Sequence, residues 1–285
     1  MSERVRRISL LAALAYIPLL ASAPGRVPGD TKLYLYLDPG RLISDSIWSW
    51  DGRQLGGWVP HQNVGYLWPS GPFYALFDRL GVPDWIAHRL WTGSLLLLAG
   101  LGVLWLARIL RLSATAGLCA AILYQLSPYV LPYISRTSAL LLPWALLGWL
   151  IGVTIRIAER RDPRFIGLFG VLIASTGGLN ATALLMIAPA PVLWFVAMSR
   201  GQSWRRIAST LTILGVVGLG ASAWWLAGLR VQGAHGAAVL SYSETLVSTA
   251  ATSSSIEVLR GLGYWLFYDR NHVVALTSAA SPYMG

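Results

Sequence analysis

Apolar residues gather in seven blocks, at about 8–23, 87–107, 113–131, 138–158, 165–179, 181–198 and 207–228, separated by polar gaps. A membrane-crossing helix needs about 20 apolar residues, within a range of roughly 17–25. The blocks therefore predict an all-α, polytopic transmembrane bundle with about seven spans, forming a single membrane domain over 1–285. The first and fifth blocks are short for this task and borrow flanking residues. Gly177-Gly178-Leu179-Asn180 predicts a tight turn between the fifth and sixth. Asn180-Ala181-Thr182 fits a glycosylation sequon, but at a helix start it reads as a cap.

The pattern changes between residues 24 and 86. Ser70-Gly71-Pro72 reads as a helix start. Phe73, Leu76, Phe77 and Leu80 follow at helical spacing, with Asp78 and Arg79 on the other face. Gly81 and Pro83 supply a stop. This predicts a short amphipathic helix on the membrane surface. Trp48, Trp50, Trp58, Trp68, Trp85 and Trp91 suit aromatic anchoring at that interface. Leu33, Leu35 and Leu37 alternate with Tyr34 and Tyr36, which fits an extended segment that brings Asp30 and Asp38 to one side, and a helix would also place these two on one face. Residues 229–285 form a second polar segment, rich in Ser and Thr over 241–255. The chain stops at Met284-Gly285 without completing an element, so the expectation is an N-terminal portion of a longer protein.

Composition agrees with a membrane domain. Hydrophobic residues make up 55% and charged residues 12% of the chain, about half the charge of a soluble domain. The net charge is +10, which raises nucleic acid as a partner. The distribution excludes that reading. Twelve of the 22 basic residues lie before the first block and in every second gap: Arg4, Arg6 and Arg7; Arg108 and Arg111; Arg156, Arg160, Arg161 and Arg164; Arg200, Arg205 and Arg206. This is the positive-inside pattern. It places the N-terminus in the cytoplasm of a multi-pass plasma-membrane protein. The stretches 24–86 and 229–285 then face outward. Ala21-Ser22-Ala23 also fits a leader cleavage site, and Asp30 lies outside on either reading. The lone Cys119 forms no intramolecular disulfide and reads as a small buried apolar residue.

Six of the twelve acidic residues lie in the first outer loop: Asp30, Asp38, Asp45, Asp51, Asp78 and Asp84. Asp30 follows the first block by about seven residues. A carboxylate there can act as general base toward a sugar hydroxyl, or simply cap the segment from Thr31. Asp38 precedes Pro39-Gly40, which is turn chemistry. Phosphate binding needs outward cations, and Lys32, Arg41, Arg53 and Arg136 qualify. Arg136 stands alone in a short outer loop and can grip a lipid phosphate bidentately. His61 is a further base or phosphate donor. No nucleotide-binding glycine loop, nucleophile elbow or metalloprotease motif occurs. No metal-ligand cluster or cofactor is indicated, although the aspartate-rich loop could take a divalent ion.

The run Asp30 to Arg41, continued by Leu42-Ile43-Ser44-Asp45-Ser46-Ile47-Trp48-Ser49-Trp50-Asp51 and by His61-Gln62-Asn63-Val64-Gly65-Tyr66-Leu67-Trp68-Pro69, resembles the N-terminal region of the actinobacterial alpha-(1→3)-arabinofuranosyltransferases of the AftD type. The resemblance covers essentially the whole chain. It implies a GT-C membrane glycosyltransferase with its catalytic acid residue in the first outer loop, a role that falls on Asp30 with Asp38 in reserve. It implies a decaprenyl-phosphoryl-arabinofuranose donor and an arabinan acceptor, in arabinogalactan and lipoarabinomannan. It also implies inverting transfer at the periplasmic face, with Arg136, Lys32, Arg41 and His61 toward the donor phosphate. Such transferases are much longer, so the expectation includes a module that is incomplete by itself.

Two other classes compete with this reading. A non-catalytic scaffold or lipid-handling subunit would tolerate loss of Asp30. A transporter would carry ionisable residues near the middle of its spans. The blocks are nearly free of these, and Arg89 lies at an end.

Overall fold

The computed structural model describes residues 2–29, 33–48, 50–52, 57, 65–128, 130–134, 138–177, 187–235 and 255–260. Every regular element among them is helical. The order is α1 (Glu3–Ala21), α2 (Tyr34–Leu37), α3 (Pro39–Asp45), α4 (Ser70–Arg79), α5 (Asp84–Ile109), α6 (Ala114–Gln125), α7 (Val130–Ile134), α8 (Leu141–Arg160), α9 (Pro163–Gly177), α10 (Pro189–Met198), α11 (Trp204–His235) and α12 (Ser255–Leu259). A 3₁₀ turn at Ser138–Leu140 leads into α8.

Helix α5 is the hub. It packs on α8, α6 and α1, while α9 bridges α8 to α11. Leu95, Leu96 and Ala99 of α5 meet Leu141, Ala145, Leu150 and Val153 of α8 in the core. The two backbones nearly touch. A Cβ on Gly148 would lie 2.9 Å from the carbonyl carbon of Gly102, so glycine there permits the close approach typical of membrane helix pairs. Trp105 and Trp149 stack beside this crossing at 5.3 Å. Trp149 Nε1 also donates to Leu98 O at 2.9 Å.

Three helices among the described residues are long and apolar enough to cross a membrane: Asp84–Ile109, Ser138–Arg160 and Trp204–His235. The chain is thus an all-helical membrane protein. The third apolar block departs from a single span. Its helix α6 ends at Gln125, and the short α7 resumes at Val130. Pro128 has no N–H to continue the ladder, and Ser127 N closes the end on Tyr124 O at 3.2 Å. Cys119 on α6 is exposed, not buried as expected. The turn over 177–180, with its sequon, lies largely outside the described residues.

The helix expected after Ser70 is present as α4, closed by Gly81 at φ +67°. Tyr74 and Ala75 are buried, Phe73 and Phe77 are half-buried, and Leu76 and Leu80 are exposed. The inward rings pack on α5: Phe73 lies 5.0 Å and Tyr74 5.9 Å from Trp91. Trp91 is therefore a core residue rather than an interfacial anchor, whereas Trp48, Trp50 and Trp68 are exposed.

Candidate functional site at the exit of the first helix

Of the extended and helical readings of Leu33 to Leu37, the structure shows the helical one, a single turn α2 with neighbouring Leu35 and Tyr36 both buried. Asp38 stands at the break between α2 and α3. Its carboxylate accepts from Arg41 N at 3.1 Å, so it caps α3. Arg41 Nε in turn lies 3.7 Å from Asp45 Oδ2, with both side chains largely exposed. The structure thus brings Asp38, Arg41 and Asp45 onto one short helix. Asp30, Lys32, His61 and Arg136 lie outside the described residues.

The chain leading up to Asp30 is held by a side chain of α5. Arg89, on the second turn of α5, is buried and directs all five guanidinium N–H groups to backbone carbonyls. Nε donates to Leu19 O at 2.9 Å. Nη1 donates to Arg26 O at 3.0 Å and Trp85 O at 2.9 Å. Nη2 donates to Ser22 O at 2.8 Å and Ala23 O at 2.9 Å. Four of these carbonyls belong to the end of α1 or the turn that follows it. A guanidinium also complements the negative pole of a helix C-terminus. Its charge is further shared with the Trp85 ring, 4.8 Å from Cζ.

Tyr36 extends the same support. Its hydroxyl donates to Pro28 O at 3.2 Å, two residues before Asp30. Its ring meets His88 edge-on at 4.9 Å and Tyr74 at 5.6 Å. Trp68 Nε1 donates to Ser175 Oγ at 3.1 Å, tying the turn before α4 to the C-terminal end of α9. The sequence pattern gave neither residue a role: Arg89 stood at the end of an apolar block and Tyr36 in the Leu/Tyr alternation. The available signal for Arg89 was an ionisable residue within an apolar block, which by default marks function. Among the described residues, no three His, Cys, Asp or Glu side chains gather where they could hold a metal.

The match to the family described as alpha-(1->3)-arabinofuranosyltransferase, N-terminal GT-C domain, runs over residues 14–284. The chain belongs to this family. It is 31% identical over 259 residues to the alpha-(1->3)-arabinofuranosyltransferase of Mycolicibacterium smegmatis, covering 90% of this chain and 18% of that protein. It is 29% identical over 263 residues to the enzyme of the same name from Mycobacterium tuberculosis, covering 90% and 19%. Among solved structures, it matches the cryo-EM structure of arabinofuranosyltransferase AftD from Mycobacteria with a TM-score of 0.74 and 28% identity, covering 92% of this chain and 19% of that one. The chain thus spans under a fifth of the length of these relatives, and what it shares with them is the N-terminal GT-C domain.

Proposed function

We propose that this chain is the catalytic GT-C module of a membrane arabinofuranosyltransferase, and that it acts at the outer face of the plasma membrane. The donor is a polyprenyl-phosphate-linked arabinofuranose of the decaprenyl-phosphoryl type, and the acceptor is cell-wall arabinan. Asp30 takes the proton from the acceptor hydroxyl. The freed oxygen attacks the anomeric carbon as the bond to the phosphate oxygen breaks, so the configuration inverts in one displacement. Polyprenyl phosphate leaves with the bonding electron pair. Arg136, with Lys32, Arg41 and His61, steadies the charge that develops on it. Asp38 is the reserve base, although its carboxylate is already engaged as a helix cap.

The observation that carries this reading is the family match over 14–284, which includes the whole segment around Asp30. Its physical support is the anchoring of the chain just before that residue, through Arg89 to Arg26 O and Tyr36 to Pro28 O. A base must be held within hydrogen-bond reach of its proton. The remaining spans of the expected seven complete the bundle around a lipid-borne substrate.

The test is arabinose transfer from decaprenyl-phosphoryl-arabinofuranose to a short arabinan, comparing Asp30→Asn with the unchanged residue in the full-length parent protein. Loss of turnover with donor binding retained is expected. Full activity in the variant removes Asp30 from the chemistry and moves the role to Asp38. No transfer by the unchanged parent favours a scaffold or lipid-handling role instead.

A further inference from the structure

The opposite end of the bundle carries a groove of about 490 Å³ lined by Glu159, Arg160, Arg161, Arg205, Arg206 and Ser209. It lies where α8 ends and α11 begins, so it sits at one end of two membrane-crossing helices. Two of its arginines are fixed by the protein. Arg161 takes the left-handed backbone conformation, φ 51°, and its Nη2 donates to Ser209 Oγ at 2.5 Å. Arg206 Nη2 donates to Ala158 O at 2.9 Å and Glu159 O at 3.3 Å. The other two, Arg160 and Arg205, are exposed and have no hydrogen-bond or ion-pair partner among the described residues.

The nearby carboxylates are already committed. Glu159 accepts from Arg156 Nη1 at 2.7 Å. Asp162 accepts from Arg164 N at 2.9 Å and caps the start of α9. Four guanidinium groups therefore line one groove against a single lining carboxylate, Glu159, which is already paired with Arg156 outside the groove. Guanidinium groups offer paired N–H donors that match a phosphate.

Beside the groove, α11 presents apolar surface that is exposed among the described residues. Trp204, Val216 and Leu219 are all exposed, and only 17% of its apolar window is buried. A cationic groove at the end of a span, continuous with a bare apolar helix face, matches a molecule with a charged head and a hydrocarbon tail. We propose that the groove binds the phosphate headgroup of an anionic phospholipid in the adjacent leaflet, with an acyl chain lying along α11. This inference is independent of the transferase reading, because it concerns the other end of the bundle.

The test uses the full 285-residue chain in nanodiscs of mixed phosphatidylcholine and phosphatidylglycerol, with retained lipid counted by native mass spectrometry. Each arginine at an anionic surface contributes on the order of fivefold in affinity. Joint Arg160→Gln and Arg205→Gln substitution should lower phosphatidylglycerol retention roughly twentyfold. Joint Arg108→Gln and Arg111→Gln substitution removes the same charge at the same end, outside the groove, and should leave retention near its starting value. Arg160→Lys with Arg205→Lys should restore part of it, which separates site loss from misfolding. Equal losses in the two glutamine pairs, or no preference for phosphatidylglycerol, would overturn the proposal in favour of general charge attraction. Release of the lipid by millimolar inorganic phosphate would overturn it in favour of a free-phosphate site.

Discussion

Arg89 Nη2 donates to Ser22 O at 2.8 Å, joining the start of α5 to the residue that closes α1. The bond links positions 67 residues apart in the chain. It is one of five from a single side chain, so the end of α1 is fixed by one residue rather than by a spread of weak contacts. The segment that carries Asp30 begins at that fixed point.

Arg89→Lys should therefore separate charge from geometry. Lysine keeps the charge but offers three donors where arginine offers five. At least two of the five carbonyls lose their partner, and because they belong to exposed or half-buried residues water replaces it in part. The expected outcome is a loss of roughly 1–3 kcal/mol in unfolding free energy, together with a fall in transfer by the full-length parent. Thermal unfolding followed by tryptophan fluorescence measures the first part. A melting curve superimposable on that of the unchanged protein would show that the clamp carries no stability.

Gln125 gives a contrasting case. It is fully buried, and its Nε2 reaches Leu11 O of α1 at 2.9 Å. It too is a polar side chain pinning α1, but with one neutral hydrogen bond. Such bonds between membrane helices average about 0.6 kcal/mol. Gln125→Leu should change stability by less than about 1 kcal/mol. A destabilisation as large as that of Arg89→Lys would mean that Gln125 organises more than its one hydrogen bond.

The α5–α8 crossing should be the most sensitive packing site. Gly148→Ala would place Cβ against the backbone of Gly102 and Val103, at 2.9 Å and 3.0 Å. Backbone cannot rotate away as a side chain can, so the helices must separate, at a cost of about 1–3 kcal/mol. Gly215→Ala on α11 meets nothing within 4 Å, and alanine is the better helix former. That variant should unfold at the same temperature or slightly higher. Reversal of this order in paired melting curves would refute the close-crossing account.

The helices were legible in the sequence where apolar runs were long and unbroken. The blocks at 87–107, 138–158 and 207–228 became α5, α8 and α11. The third block misled because hydropathy averages over Pro128, whose missing N–H is a local backbone effect. The burial of Trp91 was hidden for a related reason: interfacial and core tryptophans look alike until α4 is seen packing over α5. Asp38 was legible as turn chemistry, and the structure finds it capping α3. Arg89 was not, because its partners are carbonyls, which carry no sequence signature. The role of Asp30 remains a proposal that rests on family membership.

Asp38 and Tyr36 can be told apart from a catalytic base by conservative replacement. If Asp38 acts as a cap, Asp38→Ser keeps an oxygen for Arg41 N and should hold activity near the unchanged level, while Asp38→Ala loses about 1 kcal/mol of local stability. Failure of the serine variant in a folded protein would instead move general-base chemistry to Asp38. Tyr36→Phe removes only the hydroxyl that donates to Pro28 O and leaves the ring packed on His88 and Tyr74. Its stability should fall by about 0.5–1.5 kcal/mol. Its turnover in the full-length parent should fall more than its donor affinity does, because the lost bond positions the chain beside Asp30 rather than the donor. Equal losses in turnover and donor affinity would indicate that Tyr36 shapes the donor site, not the approach of the base.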